Sequence, residues 1–168
     1  MGGRVAGRAR TRSTARIAVA ALAVLAAVTV VRAGVVEGAE VTSASMEPTL
    51  RDGSVVLVDK LGPRLGGLHR EDVVVFRSPQ DGHDAIKRVV AVGGQQVAIR
   101  DAQLYVDGRR VVEPQVDLSR IDGLWFGPVT VPPRTVFVLG DARSGSIDSR
   151  VYGAVPLGSI VGRVAMAW

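Results

Sequence analysis

Ser45 stands in the run Ser43-Ala44-Ser45-Met46-Glu47-Pro48-Thr49-Leu50, and Lys87, 42 residues later, in Ala85-Ile86-Lys87-Arg88-Val89-Val90. A serine hydroxyl is a poor nucleophile until a base within hydrogen-bond reach takes its proton. A lysine amine can be that base only when neutral. Its pKa must then fall from about 10.4 to roughly 7–8, a cost on the order of 4 kcal/mol supplied by burial. The neighbours of Lys87 suit this: on a strand, alternation places Lys87, Val89 and Ala91 on one apolar face and turns Arg88 to solvent. A lysine on a core-facing register suggests function. Taken alone, it could equally be a strand lysine whose ammonium snorkels out along its stem, and Ser45 alone could be turn chemistry ahead of Pro48. Together they describe a serine hydrolase that needs no histidine.

Other chemistries have less to work with. The chain has no cysteine and only two histidines, His69 and His83. A thiolate nucleophile, a disulfide and a cysteine metal site are excluded, a multi-histidine metal centre has too few ligands, and no cofactor is expected. A Ser-His-Asp triad would need His83-Asp84, but adjacent residues on a strand do not readily present imidazole and carboxylate to each other. His83 reads as a loop residue in the polar turn 80–84. A third cluster, Gly140-Asp141-Ala142-Arg143-Ser144-Gly145-Ser146-Ile147-Asp148-Ser149-Arg150, follows an apolar run at 135–139. It is either a solvated loop with weak surface ion pairs or a buried, mutually satisfied brace beside a site.

These residues need elements to hold them. Arg4, Arg8, Arg10, Arg12 and Arg16 precede any acid, and the other 16 basic residues balance 16 acidic ones, so the net charge of +5 belongs to a tail. The domain itself is neutral and no nucleic-acid partner is expected, while the tail could touch anionic membrane lipid. The fifteen residues 17–31 carry no charge. As a helix they cover roughly 22 Å, and extension to residue 36 gives roughly 30 Å, a membrane span with Arg32 able to snorkel near its end. The arginines ahead of it put the N-terminus in the cytoplasm. The alternative is a cleavable leader ending at Val31-Arg32-Ala33. The expected organisation is a basic tail at 1–16, a single-pass anchor at 17–36 in the plasma membrane, and an extracytoplasmic β-rich domain at 37–168. Valine-rich runs at 54–59, 72–76, 85–92, 96–99, 104–106, 109–112, 129–131, 135–139 and 159–166, punctuated by turn residues, predict an all-β, barrel-like domain. Asp107-Gly108 predicts a hairpin; 63–68 and 118–128 read as surface loops. Trp125, Phe126 and Trp168 could form an interfacial aromatic patch or belong to the core.

In combination, the anchor, the Ser43-x-Ser45-Met46-x-Pro48-Thr49-Leu50 block, Arg70 to Phe76, Ile86 to Gly94, the run from Val129 through Val136 to Gly140, and Gly140-Asp141 to Arg150 resemble bacterial type I signal peptidase over essentially the whole chain. That resemblance implies an all-β domain related to LexA-type Ser-Lys peptidases. It implies Ser45 as nucleophile and Lys87 as general base, with Ser43 as side-chain oxyanion donor beside the Ser45 N–H. It further implies that Ser146 orients the lysine and that Asp141, Arg143, Asp148 and Arg150 form a structural brace. The implied substrates are exported preproteins cut after small-x-small, Ala-x-Ala-like sites. Where the family has Gly-Asp-Asn-Arg-Asp-Asn-Ser, this chain has Gly140-Asp141-Ala142-Arg143-Ser144-Gly145-Ser146. Nucleophile and base remain, as do Ser146, Asp148 and Arg150; Ala142, Ser144 and Gly145 remove polar groups from the loop. The altered loop keeps open a maturation protease with a narrow substrate set. A non-catalytic module that binds signal peptides would have no need of Ser45 with Lys87, and a soluble self-cleaving LexA-like regulator would lack the anchor.

Overall fold

A computed structural model of the protein describes residues 17–25, 28–29, 36–117, 121 and 123–168. The chain divides into two compact units, residues 1–36 and 37–168. In the first, helix α1 covers 17–25, with helical residues again at 28–29. No helix among the described residues is long and apolar enough to cross a membrane. The basic tail at 1–16, Arg32 and most of the expected end of the span lie outside the described residues.

The second unit is built on strands, as the valine runs require. β1 (Val36–Glu40), β2 (Val55–Asp59), β3 (Val73–Arg77), β4 (Asp84–Val92), β5 (Gln96–Arg100) and β6 (Gln103–Val106) are followed by β7 (Arg109–Arg110), β8 (Phe126–Thr130), β9 (Thr135–Leu139), β10 (Val155–Pro156) and β11 (Ile160–Ala167). Helices α2 (Gly62–Gly66) and α3 (Ser149–Tyr152) are short. Seven strands form one sheet in the order β1-β2-β11-β3-β4-β9-β10, and four form another, β7-β6-β5-β8. The mostly-β expectation holds. Asp107 and Gly108, both at positive φ, make the β6–β7 turn, where two left-handed residues match the strand twist.

The first sheet fixes a row across the molecule: Lys87 of β4 pairs with Val74 of β3, Val74 with Arg163 of β11, and Arg163 with Asp59 of β2. Beyond Lys87 the expected alternation fails. The β4–β9 register shifts between Val89 and Ala91, and such a bulge inserts a residue and reverses the faces beyond it. Val89 then packs with Val74, Phe76 and Val138, while Val90 and Ala91 join Val97, Leu104 and Phe137 in the core under the second sheet. A third cluster, with Met46, Leu50, Val56 and Val58, backs the turn that carries Ser45.

Candidate active site

Ser45 lies in a 3-10 turn, Ala44–Met46, that follows the first strand. The turn is seated from below by Met46, 1 % exposed. It closes through the Glu47 N–H to Ala44 O at 3.1 Å and the Leu50 N–H to Met46 O at 2.9 Å. The Ala142 N–H donates to the Ser45 carbonyl at 3.1 Å, so the loop after β9 holds the serine backbone from the other side. Lys87 comes in from the middle of β4, 5 % exposed. Its Nζ lies 2.7 Å from Ser45 Oγ and donates to the Ile86 carbonyl at 3.1 Å. Burial holds the Lys87 amine below the ordinary lysine range, and the carboxylates of Asp148 and Asp141 pull the other way. Ser43 Oγ stands 3.1 Å from Ser45 Oγ.

Behind this pair, the residues at 140–150 form a buried network. Asp148 is fully buried; it accepts from the Gly140 N–H at 3.1 Å, from the Arg150 N–H at 3.2 Å, and from the Arg150 guanidinium at 2.9 and 3.0 Å. Arg150 also donates to the carbonyls of Arg143 and Ser146. Arg143, 2 % exposed, donates to Gly140 O at 3.0 Å and to the buried Glu113 carboxylate. Burial pushes the Glu113 carboxyl above its usual range, against the pull of Arg143. Asp141 is gripped from two sides. Arg88 donates Nε and Nη2 to its two oxygens at 2.8 and 2.7 Å, and Thr49 Oγ1 donates to Oδ2 at 2.5 Å.

A nucleophile and a buried amine in direct contact, with a rigid loop against both, suit acyl transfer. The family model described as "Signal peptidase, peptidase S26" matches residues 14–168. The chain belongs to that signal peptidase family. It is a serine peptidase and a hydrolase. Signal peptidase I of Bacillus caldolyticus is 38% identical over 132 residues, spanning 71% of this chain and 72% of its own length. Signal peptidase I V of Bacillus subtilis is 36% identical over 140 residues, spanning 76% of this chain and 83% of its own. The crystal structure of a signal peptidase I from Enterococcus faecalis superposes with a TM-score of 0.51 at 30% identity, over 58% of this chain and 97% of that one.

In this peptidase the residues expected at the site converge: Ser43, Ser45, Lys87, Asp141, Arg143, Ser146, Asp148 and Arg150 sit in one network or beside it. Two readings differ. Arg88 does not turn to solvent, because Asp141 of the loop after β9 arrives over β4 and recruits it; its side chain is 12% exposed. Ser146 Oγ is buried but has no hydrogen-bond partner, so the structure contains no Ser146–Lys87 bond. The hydroxyl instead lies against Gly140, whose missing side chain makes its room: a Cβ there would stand 2.2 Å from Ser146 Oγ and 2.6 Å from the Ser45 carbonyl oxygen. Sequence reasoning missed Arg88, Thr49 and Glu113 as partners, and Gly140 as a required gap. An acid within Val112-Glu113-Pro114 was the available signal for Glu113. His83 is exposed, its N–H held by Asp81 at 3.0 Å in a turn where Ser78 bonds the His83 carbonyl. A groove of about 550 Å³ opens beside Ser45, between Ser43, Glu47 and Pro48 on one side and Ala142, Ser144 and Gly145 on the other.

Proposed function

We propose that this peptidase is a membrane-anchored endopeptidase that removes N-terminal signal peptides from exported preproteins by a Ser45–Lys87 dyad. The observation that carries the reading is the 2.7 Å contact between Ser45 Oγ and the buried Lys87 Nζ. With Lys87 neutral, Ser45 donates its proton to Nζ as Oγ attacks the scissile carbonyl. The developing oxyanion is held by the Ser45 N–H and the Ser43 hydroxyl. The protonated Lys87 then gives its proton to the departing amine, the C–N bond breaks and the acyl group stays on Ser45. Lys87 next takes a proton from water, whose oxygen attacks the ester; the acyl C–Oγ bond breaks as Lys87 returns that proton to Ser45 Oγ, which releases the signal peptide and restores the free serine.

The remaining groups are positioning residues. Asp148, Gly140 and the Ala142 N–H fix the serine backbone. The groove beside Ser45, with Ala142, Ser144 and Gly145 along one wall, has room for an extended peptide, and the family resemblance assigns it substrates with small residues before the cut, the Ala-x-Ala-like class. The span at 17–36, with a cytoplasmic N-terminus, would hold the site at the outer face of the plasma membrane, where such substrates emerge. The test is cleavage of a preprotein bearing an Ala-x-Ala site by the detergent-solubilised full chain, with the product N-terminus sequenced. Cutting after the small-x-small site, lost in Ser45→Ala and in Lys87→Ala, is expected. A folded wild type that leaves several unrelated preproteins intact would move the reading to a narrow-substrate maturation protease.

A further inference from the structure

Away from the dyad, a second cleft of about 430 Å³ lies between α2 and the segment leading from β10 into β11. Its charged lining residues are Lys60, Arg64 and Arg134, and no carboxylate lines it; Leu68 and Leu157 give it apolar wall. Asp59, next to Lys60 in the chain, is already engaged by the Leu61 and Gly62 N–H groups at 3.0 and 2.9 Å and by Arg163. Among the described residues neither the Arg64 nor the Arg134 guanidinium has an ion-pair or hydrogen-bond partner. The cleft is therefore a concave site with two uncompensated cations, which favours an anion.

Two features say which anion. Beside the cleft, α2 exposes Leu65 at 83% and, four residues earlier on the same side of the turn, Leu61 at 37%; Leu157 is 42% exposed. Basic groups next to unshielded leucines match a bilayer interface, where cations meet phosphates and the leucines enter the acyl boundary. The third lining cation, Lys60, is ion-paired to Glu37, the first residue of the folded domain. We propose that this cleft binds the phosphate of an anionic phospholipid headgroup, with Leu61 and Leu65 resting in the bilayer. The proposal rests on the anchor reading, because a span ending at residue 36 delivers Glu37 and its partner Lys60 to the headgroup layer. Each arginine is worth about a five-fold factor in the ratio of docked to undocked domain at an anionic leaflet, so the two together are worth about 25-fold.

The absence of native cysteine makes a unique reporter available. Gly66 is exposed, and a Cβ there meets nothing within 4 Å. The full chain with Gly66→Cys, carrying an environment-sensitive fluorophore, is incorporated into phosphatidylcholine vesicles with or without phosphatidylglycerol, each with a trace of headgroup-attached spin-label quencher. Stronger quenching with phosphatidylglycerol, returned to the phosphatidylcholine level by Arg64→Gln with Arg134→Gln, is the expected result. Equal quenching in the two lipids, or unchanged quenching in the double variant, overturns the cleft while leaving the anchor, as long as the chain floats with both vesicles. A chain that floats with neither refutes the anchor and the cleft together. The same fluorescence response to millimolar inorganic phosphate without vesicles would put a soluble anion in the cleft and overturn the lipid assignment.

Discussion

Gly140→Ala is the substitution whose consequence the structure specifies most closely. A Cβ at this position would stand 2.2 Å from Ser146 Oγ, 2.8 Å from Ser146 Cβ and 2.6 Å from the Ser45 carbonyl oxygen. Ordinary contact begins near 3.4 Å, so the Ser45 carbonyl must retreat by about 0.8 Å if the loop stays in place. That retreat strains the Ala142 N–H bond to the same oxygen and carries Ser45 Oγ away from Lys87. Misplacing a reacting atom by about 1 Å costs roughly 10²-fold, so kcat should fall by about two decades, equivalent to about 2.7 kcal/mol in the barrier. Overpacking should also cost about 1–3 kcal/mol of stability, a loss of roughly 4–12 °C in Tm. The assay is single-turnover preprotein cleavage well below the variant's own Tm, which separates chemistry from unfolding. Adding Ser146→Ala removes the closest contact but not the one with Ser45, so it should restore some Tm and little kcat. A folded Gly140→Ala variant within three-fold of wild-type kcat would refute the reasoning. So would full recovery of kcat in the double variant, which would shift the effect from the serine backbone to Ser146.

Further expectations concern charge. Because burial lowers the Lys87 pKa, kcat/KM should rise with pH through a limb below the ordinary lysine value. Asp148→Asn removes a charge that favours the ammonium, so it should move that limb to still lower pH in a pH–rate profile, whereas a purely structural role would lower the plateau without moving the limb. Asp141→Asn leaves the Arg88 charge without its counter-charge and should destabilise the fold by about 3–5 kcal/mol in denaturant unfolding. Glu113→Gln does the same to Arg143, with a loss on the order of 3 kcal/mol; replacing both Glu113 and Arg143 by apolar residues of similar size should recover most of it, read in the same unfolding experiment.

The parts legible in the sequence are those written locally. Valine runs bounded by glycine and proline placed β2 through β6, β9 and β11 within a residue or two, because period-two burial needs no knowledge of the partner strand. β1 and β10 escaped notice: one stood at the end of the supposed span, and the other is a two-residue bridge whose pairing with β9 is entirely non-local. α2 reads as a loop because its five residues, with two glycines and a proline, hold no helical period. β8 begins at Phe126, inside a segment rich in loop residues, because Phe126 packs on Phe137 at a centroid distance of 5.5 Å. The proposed aromatic patch is thereby divided: Phe126 joins the core, while Trp125 and Trp168 are 65% and 64% exposed. At the site, Ser45, Lys87 and the charged loop were visible by residue type. Their partners were not. Arg88 meets Asp141 across 53 residues, and Glu113 meets Arg143 across 30. Only the folded sheets bring those pairs together, and the β4 bulge that redirects Val90 and Ala91 arises from pairing with β9.

The dyad itself can be tested by rebuilding its amine. Because the chain has no cysteine, Lys87→Cys creates a single thiol that 2-bromoethylamine converts to a lysine-like side chain under denaturing conditions, followed by refolding. The expected result is an inactive Lys87→Cys protein that regains preprotein cleavage on aminoethylation, at the same bond, with no recovery when Ser45→Ala is also present. A refolded, aminoethylated protein that stays inactive, or a Lys87→Cys protein that cleaves before modification, would contradict a lysine base at Ser45.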